Sequence, residues 1–184
     1  MQFHRDPVQR GTRAPRGVTL VEVAILMALL SFGLLALTTT SQALGAYRLA
    51  QDEESAAGEA IAAKVREVSS VAASARIGAA NWSEATTSRF AHGEARQQSF
   101  RVPGLMPWDG ESAVGSVRAI VDETLTDDEI GAALGMPQDL DSDGAIENTD
   151  VSASADLLPF VVRVRWQGPG GRRELSHAFY ATRF

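Results

Sequence analysis

The 184-residue chain contains no cysteine, which excludes a disulfide framework, thiolate metal sites and a cysteine nucleophile. A globular part outside the cytoplasm must then be held by core packing, or by a metal bound through other ligands. Proline is absent from Val18 until Pro103, so nothing obligatory interrupts a helix over that distance. The three histidines, His4, His92 and His177, have no partner at metal or triad spacing. Ser176 and His177 are adjacent in a predicted strand, where neighbours point to opposite faces. No phosphate loop, Cys–His pair or dinucleotide fingerprint occurs. Nothing here argues for an enzyme. Basic residues are outnumbered, 17 against 23 acidic, for a formal net charge of −6. This balance argues against a nucleic-acid partner.

Residues 16–37, RGVTLVEVAILMALLSFGLLAL, dominate what is there. Roughly 20 mostly apolar residues suffice to cross a bilayer core. Arg5, Arg10, Arg13 and Arg16 against Asp6 give residues 1–17 a net charge of +3, which leaves −9 for the remainder. Positive charge before an apolar span stays cytoplasmic, so the C-terminal part is expected outside. A secretory signal places its cleavage site after the apolar run; here residues 36–41 offer no such site, and the glycine precedes the run. Glu22 stands inside the span, where an ionisable group costs about 2.5–3.5 kcal/mol on insertion scales and needs a partner or a role.

Gly17, Val18, Thr19, Leu20, Val21 and Glu22 form GVTLVE, which resembles the cleavage and methylation site of type IV prepilins and type II secretion pseudopilins. The resemblance implies a membrane prepilin peptidase that cuts after Gly17 and methylates the new N-terminus at Val18. It makes Glu22 the family's assembly glutamate. Val18 departs from the Phe or Met more common at the first mature position. The physics agrees: a free amine on Val18 would lie one helical turn from Glu22, and a helix start favours an anion. Between subunits, the carboxylate of one chain can pair with the amine of its neighbour and set the axial register. The implied partners are the peptidase, other pilin or pseudopilin subunits and the inner membrane. The implied fold is α+β, a long N-terminal helix packed on a small antiparallel sheet. An ordinary signal anchor with a tolerated Glu22 is the plainer alternative.

The domain plan that follows is a basic leader over 1–17, a transmembrane and assembly helix over 18–42, an amphipathic continuation over 43–78, and a β-rich extracytoplasmic domain over 79–184. Leu44, Tyr47, Leu49, Ile61, Val65, Val68 and Val71 recur at spacings compatible with one helical stripe. Helix is allowed as far as Gly78, roughly 80–90 Å at 1.5 Å per residue. Beyond Asn81 the pattern predicts short strands and loops, with strands at Ser99–Val102 and Val114–Val121. Thr126 and Glu129 have capping-box spacing, with Ile130, Ala133 and Leu134 as the buried face of a short helix that ends near Gly135. Leu158, Phe160, Val162, Val164 and Trp166 share one face of a strand, followed by a turn at Gly168–Gly171 and a second strand. A strand ending in Trp, a Gly-rich turn and an Arg-rich strand is similar to the tail of the pilus-modification minor pilins. Arg163, Arg165, Arg172 and Arg173 form a basic patch, read as a solvated face able to meet a neighbour's acidic loop. Trp82, Trp108 and Trp166 are read as packing residues.

Residues 139–150, DLDSDGAIENTD, carry the other chemical signal. Asp139, Asp141 and Asp143 at positions 1, 3 and 5, the Ala145 carbonyl at 7, Glu147 at 9 and Asp150 at 12 offer oxygen ligands in Ca²⁺-loop spacing, with Gly144 for the sharp turn. The flanking residues lack EF-hand helices, so the reading is a stand-alone loop; a solvated acidic turn is the alternative. Some pseudopilins carry Ca²⁺ in their C-terminal region, which the resemblance extends to this loop. The reading from a different class is a singly anchored extracytoplasmic Ca²⁺-binding module that never polymerises.

Overall fold

The computed structural model describes residues 19–90 and 96–183. Gly17 and Val18, the rest of the leader, and His4 and His92 lie outside the described residues. The elements run α1 (Leu20–Gly78), α2 (Trp82–Phe90), β1 (Gln97–Phe100), β2 (Gly115–Ala119), α3 (Asp127–Ile130), a 3-10 turn (Val151–Ala153), β3 (Leu157–Gly168) and β4 (Gly171–Thr182). The chain divides into two compact units, Met1–Gly45 and Ala46–Phe184.

In the first unit, α1 begins on Thr19. Its hydroxyl accepts the Glu22 N–H at 3.3 Å, and its carbonyl accepts the Val23 N–H. The T-x-x-E spacing thus opens this helix as it opens α3. The apolar side chains from Leu20 to Leu37 are exposed. This part of α1 is long and apolar enough to cross a membrane. Thr38, Thr39 and Thr40 turn their hydroxyls back onto the carbonyls of Leu35 and Ala36, which removes their polarity from the helix surface.

In the second unit, residues 46–78 of α1 bury Ala57, Ile61, Val68, Ala72 and Ala75, steps of three, four and seven that keep one face inward. The stripe starts later than the sequence pattern implied. Leu44, Tyr47 and Leu49 are at least half exposed. Alanine at three of the five buried positions allows close approach to the sheet. Trp166 of β3 donates its indole N–H to Glu53 at 3.0 Å, and Lys64 lies over the Phe100 ring.

The sheet has the order β1-β2-β3-β4 and is antiparallel throughout. Leu158, Phe160, Val162, Val164 and Trp166 are all buried, with Phe160 packed edge-on against Phe90 of α2 and stacked on Phe179 of β4. The β3–β4 hairpin closes at the Gly168–Gly171 pair with Pro169 and Gly170 between them, and Gly171 at φ 107° supplies the positive φ that L side chains resist. The α+β layout is the pilin-like one expected: a long N-terminal apolar helix packed on a four-stranded antiparallel sheet.

Three local expectations need correction. β1 has the expected four residues but lies two residues earlier, and β2 is shorter than expected. The short helix α3 ends at Ile130, because Gly131 takes the left-handed conformation (φ 70°) one turn before Gly135; Ala133 is therefore exposed, while Ile130 and Leu134 are buried. Residues 82–90, expected in loop, form α2.

Gly115 shows why β2 tolerates no side chain at its first position. It pairs directly with Phe100, and a Cβ there would lie 2.3 Å from the Phe100 ring. Gly115→Ala is expected to cost about 1–3 kcal/mol through overpacking. A denaturation midpoint unchanged from wild type would contradict this.

Candidate metal centre

The site is built where the chain leaves β2 and returns before β3. Ile120 and Val121 are buried. Asp122 then accepts both the N–H and the hydroxyl of Thr124, which tightens the turn. This turn drives Glu123 into the protein, where it is 1 % exposed. Its Oε1 accepts the N–H groups of Leu140 (2.6 Å) and Asp141 (3.3 Å), and its Oε2 that of Glu147 (3.2 Å). One buried carboxylate therefore holds both limbs of the acidic loop.

The capping box forms as expected: Thr126 accepts the Glu129 N–H, and the Glu129 carboxylate accepts from Thr126. Asp127 then accepts the N–H groups of Leu134, Gly135 and Met136. The hydrogen bond from Met136 is the largest influence holding the Asp127 carboxyl below the usual carboxylate value. Desolvation opposes it, and the bonds from Gly135 and Leu134 add to it. Tyr180 of β4 donates to the Leu134 carbonyl. Desolvation, followed by the Asp127 charge, raises its own pKa. At its far end the loop is tied to the body by Asp156 and Leu157, whose N–H groups donate to the Leu140 carbonyl, and by Val151, which donates to Val121.

A group whose folded pKa is depressed gives stability that is present above its unfolded pKa and lost as pH falls through the folded value. Asp127 is such a group, so part of the stability of this region is expected to disappear below the ordinary carboxylate value of 3.8. Thermal melts across an acid series should show a steeper loss for wild type than for Asp127→Ala. Parallel curves would contradict it.

One carboxylate oxygen from each of Glu123, Asp139 and Asp141 falls within 4.8 Å of the others, an arrangement able to hold a metal ion. Among the described residues none of the three makes an ion pair, so their mutual repulsion is offset only by hydrogen bonds. Asp139 accepts the N–H groups of Ser142 and Gly144. Asp141 accepts from Asp143 and from the Ser154 hydroxyl. An all-carboxylate donor set suits a hard cation.

The structure thus brings together two of the sequence-selected ligands, Asp139 and Asp141, and adds Glu123, which the loop spacing could not reveal. Asp143 is exposed and accepts the Ala145 N–H at 2.8 Å. The exposed Glu147 donates its N–H to Glu123. Asp150 caps the 3-10 turn through the Ser152 N–H and pairs with Arg96. None of Asp143, Ala145, Glu147 and Asp150 is in the cluster. Glu22 sits exposed in the first turn of α1, in the other unit.

The basic patch on the last hairpin stays at the surface, and three of its four arginines find acidic partners within the chain. Arg163 meets Glu174 at 3.0 Å, Arg165 meets Glu111 and Glu174, both at 3.2 Å, and Arg173 meets Glu54 at 3.8 Å. Arg172 lies over the Trp108 ring. No family model matches the chain, and no curated protein or solved structure is significantly similar to it.

Proposed function

We propose that the chain is a minor pilin or pseudopilin: a structural subunit, not an enzyme, stored in the inner membrane and assembled through α1 into a type IV pilus or a type II secretion pseudopilus. The observation that carries this reading is Glu22, the one charged residue between Arg16 and Arg48, placed in the first turn of the apolar helix as the last residue of the prepilin-like GVTLVE. In this reading a prepilin peptidase cuts after Gly17 and methylates Val18. Glu22 of an incoming subunit then pairs with the Val18 amine of its neighbour, where lipid and packed helices exclude water. The Ala46–Phe184 unit supplies surface or tip contacts outside the membrane. The pilin-like layout supports the reading.

We further propose that the cluster of Glu123, Asp139 and Asp141 takes Ca²⁺, with carboxylate oxygens as ligands. In a cysteine-free domain, cation binding would stabilise the fold in place of a disulfide, because binding energy becomes folding energy when only the folded state has the site. The cluster alone would equally serve an anchored metal-binding module that does not assemble. The substitution Glu22→Ala separates the two: an assembling subunit loses incorporation into the filament, whereas an anchored module keeps its level and its function.

A further inference from the structure

The sheet has one long outer edge. In the order β1-β2-β3-β4 the outer strands are β1, of four residues, and β4, of twelve. A short edge is safe, whereas a long one is a template for another strand unless proline, a bulge or charge blunts it. β4 has no proline, pairs with β3 in unbroken register, and carries no Lys, Arg, Asp or Glu from Leu175 to Thr182.

The bonds of β3 decide which backbone groups face that edge. The N–H groups of Arg165 and Gln167 donate to Val114 and Met106, and the Pro159 carbonyl accepts from Ile120, all on the side away from β4. Successive residues of an antiparallel strand alternate in direction. The even-numbered residues of β3 therefore face β4 and bond to odd-numbered partners, with Leu175 opposite Val164 and His177 opposite Val162. The N–H and carbonyl groups of Arg172, Glu174, Ser176 and Ala178 point outward, and among the described residues no hydrogen bond engages them. The side chains of Arg172, Glu174 and Ser176 are exposed.

A second, independent observation lies beside this edge. A groove of about 450 Å³ between α1 and β4 is lined chiefly by Ile61, Ala62, Val65 and Arg66 of α1 and by Leu175 and His177 of β4. An extended chain added to β4 sets every second side chain on the α1 face of the sheet, over this groove. The aliphatic part of the lining suits apolar side chains. Arg66 is exposed, makes no ion pair among the described residues, and shares the groove with no carboxylate residue. Main-chain bonds at a free edge and pockets for alternate side chains are the two elements of recognition by strand addition. A second copy of this chain fits poorly. Its own β4 would lay Arg173, Leu175, His177, Phe179 and Ala181 over the groove, none of them acidic.

We propose that the β4 edge from Arg172 to Ala178 takes an extended segment of a partner protein as a fifth strand. Its alternate aliphatic side chains pack over Ile61, Ala62, Val65 and Leu175, and a carboxylate meets Arg66. The site lies within the Ala46–Phe184 unit and does not rest on the function proposed above.

The test uses the full-length chain in detergent with two synthetic peptides, acetyl-TVTVTET-amide and its reverse order acetyl-TETVTVT-amide, which cover both strand directions. One of them should bind and slow amide exchange, read by NMR, at Arg172, Glu174, Ser176 and Ala178. Arg66→Glu should weaken that binding about fivefold and should prefer the same peptide with Lys in place of Glu. Ser176→Pro removes one outward N–H and no bond to β3, so it should melt near wild type and lose the peptide. Binding of neither peptide, unchanged exchange at those amides, or equal binding by wild type and Arg66→Glu would overturn the proposal. Self-association of the chain that Ser176→Pro abolishes would overturn it too, by assigning the edge to a second copy.

Discussion

Glu123→Ala is expected to destabilise the Ala46–Phe184 unit by about 2–4 kcal/mol, since three backbone N–H groups lose one buried acceptor at roughly 1–3 kcal/mol for a fully buried donor. The estimate lies below three full penalties because only the Leu140 N–H is wholly buried; those of Asp141 and Glu147 reach partial solvent. Glu123→Gln separates the hydrogen-bonding role from the charge. Its amide oxygen can still accept from Leu140 and Asp141, while the loss of negative charge removes repulsion from Asp139 and Asp141. Without metal, the Gln variant should therefore be much closer to wild type than the Ala variant. Calcium should reverse that closeness. A ligand at a hundred times its dissociation constant stabilises by about 2.7 kcal/mol, so Ca²⁺ should raise the melting temperature of wild type and leave Glu123→Gln unmoved. EDTA should return wild type to its metal-free value. A melting temperature indifferent to both Ca²⁺ and EDTA would reduce Glu123 to a loop anchor and end the metal proposal.

Glu22→Ala should abolish or strongly reduce incorporation into the filament while leaving the amount of subunit in the membrane unchanged. Glu22 has an ordinary role as well: as the third residue of α1 it complements the helix start, worth about 0.3–1 kcal/mol. Loss of that contribution alone cannot stop assembly. Breaking a buried charge pair costs about 3–5 kcal/mol, which corresponds to roughly a 10²- to 4 × 10³-fold weaker contact between subunits. The size of the defect therefore tells the two roles apart. Filament content measured against membrane content is the readout, and normal incorporation of Glu22→Ala would leave only an anchor.

The largest elements were legible because single strong signals specify them. The proline-free, alanine-rich stretch ends as a helix at Gly78. The alternation from Leu158 to Trp166 gives β3 its inner face, and the paired glycines give the hairpin. Thr126 and Glu129 announce α3, though not its shortness, which follows from the backbone conformation of Gly131. The helix α2 escaped because its buried face is Trp82, Ser83, Thr86, Thr87 and Phe90, too polar for an apolar periodicity to register. Those hydroxyls are buried at little cost because Thr86 and Thr87 bond to the carbonyls of Trp82 and Ser83. The signal that could have found it is Asn81 followed three residues later by Glu84.

The acidic loop was legible as chemistry but not as geometry. Ligand spacing along a single loop assumes that the loop closes on itself. Here the loop closes instead on Glu123, sixteen residues before Asp139, and that contact depends on the buried turn after β2. Asp150, placed last in the spacing pattern, is drawn away to Arg96 and to the 3-10 turn. The carboxylates that pair with Arg163, Arg165 and Arg173 were hidden for a similar reason: Glu174 lies across the strand pair from Arg165, and Glu54 and Glu111 come from remote segments, so no arginine pairs with its neighbour in sequence.

The most direct test of the central claim is the intact mass of the protein purified from membranes of cells that contain its prepilin peptidase. The account predicts a chain that begins at Val18 and carries one added methyl group. A full-length chain, or one cut after the apolar run, would contradict it.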